Sequence, residues 1–354
     1  MSNLTRLRER MEKESVSALL VTTIQNIRWL SGFTGSTAVA LVTAEKAYLI
    51  TDSRYTLQAK AEVSDLEVII FERPQTLEEC IGEQIKSLGA TEVGFESSIS
   101  YGAWKKRTET LSDFTWIDTP DMIRDLRMIK TPEEIRRIKE ACKLADACIG
   151  HISGLIQAGR SEYDIGLDIE FFYRRNGAEV AFDPIVASGP NSAKPHAHPT
   201  ERLIAKGDFV TIDCGGKLDG YCSDITRTFV ISEATDRHKE IYNLVLQAED
   251  ECCHLLKPGS NGKEIDGHAR TVLDQRDLAQ YFGHGLGHGL GLDVHDPGGL
   301  SSAVDQPIKA GMVFTVEPGV YIEGFGGVRI EDDVLVTNGE PEILTNYPKE
   351  LTIL

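Results

Sequence analysis

Residues 211–224 read TIDCGGKLDGYCSD, and the meaning of the chain spreads outward from them. The approach, FVTID (209–213), is apolar and strand-like. The return, CSDITRTFV (222–230), is β-branched and aromatic, and Gly215, Gly216 and Gly220 crowd the turn. That pattern predicts a β-hairpin. Each arm carries one carboxylate, Asp213 and Asp224. A carboxylate within an apolar strand is costly unless it is partnered. Two delivered to one end of a hairpin repel each other, and the remedy is a proton, an arginine or a metal.

Further along, other metal-binding side chains sit at the ends of apolar or Gly-rich runs: His284, His288, His295, Glu317 and Glu331. Glu317 lies in MVFTVEPGVY (312–321) and Glu331 in GGVRIEDDVLV (326–336). Strand parity puts Arg329, Glu331 and Asp333 on one face, and Cys222, Asp224 and Thr226 on another. Each residue alone reads as a turn former, a loop histidine or surface charge. Together they read as a site. Four carboxylates carry −4 and two divalent cations +4, and a hydroxide's extra charge falls to a cation such as Arg329. Oxygen ligands with one imidazole suit manganese, cobalt or zinc better than a thiolate metal. Two ions ~3.5–4 Å apart can activate a shared water and hold a substrate oxygen together.

The rest of the chain bounds the setting. Its 354 residues suggest two domains, and at 41% hydrophobic it can bury a sizeable core. A net charge of −18 argues against nucleic-acid and anionic-membrane partners. The seven cysteines contain no C-x-x-C pair, which suggests free thiols in a reducing compartment. The start, MSNLTRLRERMEKES, lacks the apolar core of a signal peptide, and no apolar run is long enough to span a bilayer. The expected location is the cytoplasm.

Residues 1–129 alternate strand and helix patterns, which predicts an α/β domain. Thr131-Pro132-Glu133-Glu134 is a helix-start signal, so a boundary is expected near 129. The helix it opens is expected to stop at Gly159. Three more helices are expected at 161–175, 236–256 and from Lys263. Gly-rich strands are expected from 281 onward.

The order Asp–Asp–His–Glu–Glu, in IDCG, SDITRTF, GHGLGH, VEPGVY and RIEDD, resembles the pita-bread metallopeptidases. Within them it is similar to the Xaa-Pro aminopeptidase and prolidase branch. NIRWLSGFTGS and the D-x-R-Y at Asp52–Tyr55 extend the likeness to that branch's N-terminal domain. The resemblance implies a creatinase/prolidase-like α/β N-terminal domain (1–129) and a pita-bread catalytic domain (130–354). It implies Asp213, Asp224, His288, Glu317 and Glu331 as ligands of two divalent ions, manganese first, then cobalt or zinc. Asp224 and Glu331 are the implied bridging ligands. Glu317 is the implied proton shuttle, with His196 and His295 donating to the substrate carbonyl. His284 and Arg329 support the site. In PHAHP, His198 competes with His196 for the family histidine's place. The implied substrate is a peptide with proline second, and the implied assembly a homodimer. The expected activity is an Xaa-Pro aminopeptidase. The alternatives are a prolidase restricted to dipeptides, a metal-free amidinohydrolase relative, and an inactive peptide-binding or scaffold protein on the same fold. Intact ligands disfavour the last two.

Overall fold

A computed structural model describes residues 1–120 and 122–354. The chain divides into two compact units, Met1–Arg127 and Met128–Leu354.

The first unit is built on a six-stranded mixed sheet. Its strands run in the order Glu67–Phe71, Ala47–Asp52, Val39–Thr43, Ala18–Val21, Glu92–Phe95 and Thr115–Asp118. The three strands at 18–21, 39–43 and 47–52 pair antiparallel, and the outer pairings are parallel. Alternate residues such as Leu20, Leu41 and Ile50 pack one face against Ile81 and Ile85 of the helix Leu77–Ser87. Thr76 and Glu79 cap that helix reciprocally. Ile24–Ser31 forms a helix, and a Gly/Ser/Thr loop joins it to the strand Val39–Thr43. Ile27 and Leu30, three apart, bury one helical face, and Gly32 at φ 78° ends it.

The second unit contains four long helices and two principal sheets. Pro132–Ser153 opens with the expected capping box, Thr131 and Glu134 each satisfying the other's backbone. It ends at Ser153, short of the expected stop at Gly159. The chain leaves the helix at Gly154, and Gly159 (φ 89°) instead turns the following loop. Ile156 is still buried, so its apolar spacing reflects loop packing rather than helix. The next helix, Glu162–Arg175, is capped by Ser161, and the last two are Asp236–Leu255 and Gly262–Asp274.

Helices Pro132–Ser153 and Glu162–Arg175 bury Ile149, Ile152, Ile165 and Ile169 against Val210, Ile212 and Ile225. Those belong to a four-stranded sheet ordered Thr352–Ile353, Ile225–Val230, Phe209–Cys214, Ile185–Ser188. The other helix pair buries Val245, Ala248, Ile265 and Ala269 with Phe314, Val316 and Val334 of a five-stranded sheet. That sheet runs Asp296–Leu300, Gly287–Gly289, Val313–Val316, Asp332–Leu335, Glu342–Ile343. A residue bridge from Thr226 to Glu331 stitches the two sheets together.

Candidate metal centre

The central hairpin forms with Thr226 opposite Asp213 and Ile225 opposite Cys214. Gly215 packs against the return arm so tightly that an added Cβ would lie 2.0 Å from the Ser223 carbonyl oxygen. The two carboxylates therefore end up side by side. Glu317 follows the strand Val313–Val316, its N–H held by the Leu286 carbonyl at 2.8 Å. His288 lies in Gly287–Gly289, its N–H donated to Thr315 Oγ1 at 3.0 Å. Glu331 sits between two short strands, Gly326–Arg329 and Asp332–Leu335, that belong to different sheets.

Asp213, Asp224, His288, Glu317 and Glu331 line one cavity of about 240 Å³. His196, His198 and His295 line it too, with Phe182, Asp183, Ile185, Ala197 and Val294. Ligand atoms of Asp224, His288 and Glu331 all lie within 4.8 Å of one another. His288 Nε2 is 3.7 Å from Asp224 Oδ2 and 3.5 Å from Glu317 Oε1. Asp213 stands slightly apart from this cluster. Its Oδ2 accepts from Arg329 Nη2 at 2.5 Å.

The residues fit divalent cations on three grounds. First, Asp213 Oδ1 and Asp224 Oδ1 are buried without a hydrogen-bond partner among the described residues. Second, the carboxyls outnumber the positive charge of Arg329 beside them. Burial, then neighbouring carboxylates, push Asp224 and Glu331 well above the usual carboxylate range. Burial pushes Glu317 up to about 8. Carboxylates ~5 Å apart repel by about 3 kcal/mol per pair at an effective dielectric near 20. Third, His288 is set to ligate. Burial and His295 push it down to about 4, so it is neutral at pH 7. Its Nδ1 faces the Gly289 carbonyl at 3.1 Å, which assigns the proton there and leaves the Nε2 lone pair for the cavity.

A polar network holds the ligands from behind. Thr226 Oγ1 donates to Glu331 Oε2 at 2.6 Å and accepts from Arg329 Nε at 3.1 Å. Thr315 Oγ1 faces Glu317 Oε1 at 3.3 Å. The Asp224 N–H donates to the buried Asp333 carboxylate at 2.9 Å. Burial opposes the Arg329 charge, but the Tyr321, Asp213, Glu317 and Glu331 groups around it hold its pKa above the ordinary value.

His284 lies one layer further out. Its Nδ1 faces the Gly285 carbonyl at 2.8 Å, and its Nε2 accepts from the Tyr321 hydroxyl at 2.9 Å. Tyr321 in turn accepts from Arg329 Nη1 at 2.8 Å. His284 thus reaches Asp213 through two other side chains and does not line the cavity.

Sequence reading missed Tyr321 and Thr315, and gave Thr226 no role. Tyr321 lies in Gly319–Ile322, a strand of another sheet from Val313–Val316, so strand parity with Glu317 could not have found it. Phe182, Ile185 and Val294 carry no signal, because apolar residues beside a site look like any other core.

The model of metallopeptidase family M24 matches residues 136–338, and that of the creatinase/prolidase N-terminal domain matches 3–129. A Xaa-Pro dipeptidase from Pyrococcus horikoshii is 37% identical, covering 97% of this chain and 96% of that one. The solved Xaa-Pro dipeptidase from Bacillus anthracis superposes with a TM-score of 0.96 at 40% identity over 99% of both chains. The solved X-Pro aminopeptidase from Thermotoga maritima gives 0.92 at 35% identity over 100% of both. This chain belongs to metallopeptidase family M24, a mixed α/β hydrolase with a creatinase-type N-terminal domain and a C-terminal pita-bread domain.

Proposed function

We propose that the protein is a two-metal Xaa-Pro dipeptidase, cleaving the bond between a first residue and a following proline. The observation that carries this is the convergence of four carboxylates and one neutral imidazole on a single cavity. Sequence reading put the aminopeptidase first. The high-coverage relatives named as dipeptidases shift the preference to the dipeptidase. The Thermotoga maritima structure, with its aminopeptidase name, keeps the longer substrate as the second reading.

Asp213, Asp224, His288, Glu317 and Glu331 would hold the ions. Manganese is the first choice, then cobalt or zinc. When bound, the ions neutralise the carboxylates and supply Lewis-acid activation of water and of the scissile carbonyl.

The remaining chemistry falls to the chain itself. Glu317, whose carboxylate lines the cavity, takes a proton from the attacking water and delivers it to the prolyl nitrogen. That nitrogen has no hydrogen in the substrate, so the delivered proton makes it a leaving amine. His196 and His295 donate to the carbonyl oxygen as negative charge develops there. Arg329 offsets Asp213 and fixes its orientation. Residues 130–354 form the catalytic part in this reading, and the working assembly is a homodimer.

Rates of Ala-Pro and Ala-Pro-Ala hydrolysis with manganese test the proposal. Faster cleavage of Ala-Pro is expected. A tripeptide cleaved as well or better would establish the aminopeptidase, and cleavage of neither would overturn both.

A further inference from the structure

Glu162 opens the helix Glu162–Arg175 and is wholly buried. No lysine or arginine is hydrogen-bonded to it among the described residues. Instead its carboxylate collects five hydrogen bonds from one stretch of chain. Ser188 donates through N–H (2.6 Å) and Oγ (2.7 Å) to Oε1. Asn191 Nδ2 (2.9 Å), the Thr200 N–H (3.0 Å) and Thr200 Oγ1 (2.6 Å) donate to Oε2. A carboxylate offers about four lone-pair sites, so this one is saturated.

The donors are not scattered. Ser188 ends the strand Ile185–Ser188, and Thr200 closes the loop that follows. Asn191 lies inside that loop, and its Nδ2 also approaches the His198 carbonyl at 3.3 Å. Between the two anchors stand His196 and His198, whose side chains line the cavity. From the other side, Arg329 Nη1 donates to the Pro195 carbonyl at 3.1 Å, and the Gly327 N–H donates to Ser192 Oγ at 2.9 Å. The loop is therefore pinned at both ends by Glu162 and at its middle by the strand Gly326–Arg329.

We propose that Glu162 is a positioning residue for the reaction, fixing the loop 189–199 so that His196 and His198 face the substrate. The kinetic part rests on the Xaa-Pro reading above; the structural part does not. Losing the carboxylate leaves buried donors unmatched and frees the histidines to wander. A displacement of ~1 Å at a reacting group costs about 100-fold in rate.

The test compares manganese-loaded wild type with Glu162→Gln, where an amide NH₂ meets donors in place of an acceptor. Hydrogen exchange of 188–200 should accelerate at least ~10-fold, while 209–230 and the bound manganese stay unchanged. The kcat/KM for Ala-Pro should fall about 100-fold. Glu162→Gln added to the His196→Ala, His198→Ala double variant should cost little beyond that double variant alone, because Glu162 acts through those two histidines. Losses that multiply, or unchanged exchange in the loop, would overturn the proposal. If Glu162→Gln does not fold, Thr200→Val, which removes one donor, should show the same pattern at smaller size, and failure there would also overturn it. A wild type that cleaves no Xaa-Pro peptide would sink the substrate reading, and the exchange data alone would then decide the role of Glu162.

Discussion

Glu317 has two duties in this account, one as a ligand and one as a proton carrier, and they separate on mutation. Its carboxyl is 3.5 Å from His288 Nε2, and in the metal-free protein burial pushes it up to about 8. Glu317→Gln keeps an oxygen for the metal but removes the titrating group. We expect most of the bound manganese to survive and kcat to fall ~10²–10⁴-fold. Near-normal turnover in a metal-replete mutant would remove the proton role. The two loop histidines differ as well. His196 follows Pro195, whose carbonyl Arg329 grips, whereas the backbone of His198 is held through Asn191. His196→Ala should therefore cost more in kcat/KM than His198→Ala, and the reverse ranking would exchange their roles.

At the scale of elements, ligand spacing is set by how closely strands approach. Gly215→Ala would drive a methyl into the Ser223 carbonyl and spread the arms that carry Asp213 and Asp224. Manganese affinity should fall by ~10-fold or more, with a lowered unfolding temperature, as a titration and a melt would show. A variant with wild-type affinity would mean that the hairpin tolerates spreading.

The same close approaches explain what was legible in the sequence. The hairpin announced itself through alternation and glycines, and the helix Pro132–Ser153 through its capping box. The helix Ile24–Ser31 hid beside a Gly/Ser/Thr-rich stretch, and the end of Pro132–Ser153 was masked by Ile156, buried without being helical. Parity carried through 329–333 even though Arg329 and Asp332 belong to different sheets: Arg329 reaches Asp213, Glu331 lines the cavity and Asp333 accepts from the Asp224 N–H. The proposed metal ligands stood out because each is a polar or charged side chain in an apolar or Gly-rich setting. The Glu162 anchor did not, because a glutamate in a first helical turn is ordinary until its five donors are seen.

For the whole molecule, charge and stability are linked through the metal. In the metal-free fold, Asp224, Glu331 and Glu317 bind protons more tightly than in the unfolded chain. A raised folded-state pKa contributes stability below the unfolded value, 4.5 for Glu317, and loses it as pH rises through about 8. His284 and His288, both pushed down to about 4 by burial, act oppositely, but only below their ordinary 6.5. Between pH 6.5 and 8.5 the two histidines are silent and the raised carboxyls act, with Glu249, pushed up to about 8 by burial, adding to the three in the site. The metal-free protein should therefore melt lower as pH rises across that window. Manganese should remove the part of the loss that falls on its ligands, gaining about 2–4 °C for each kcal/mol of repulsion relieved. A manganese-induced shift that shrinks with rising pH would contradict this.

The most direct test of the central claim is to strip the protein of metal and titrate manganese back while following Ala-Pro hydrolysis. The account predicts no hydrolysis without metal and a rise that saturates at two ions per chain. Full hydrolysis by the stripped protein, or manganese binding that leaves the dipeptide untouched, would contradict it.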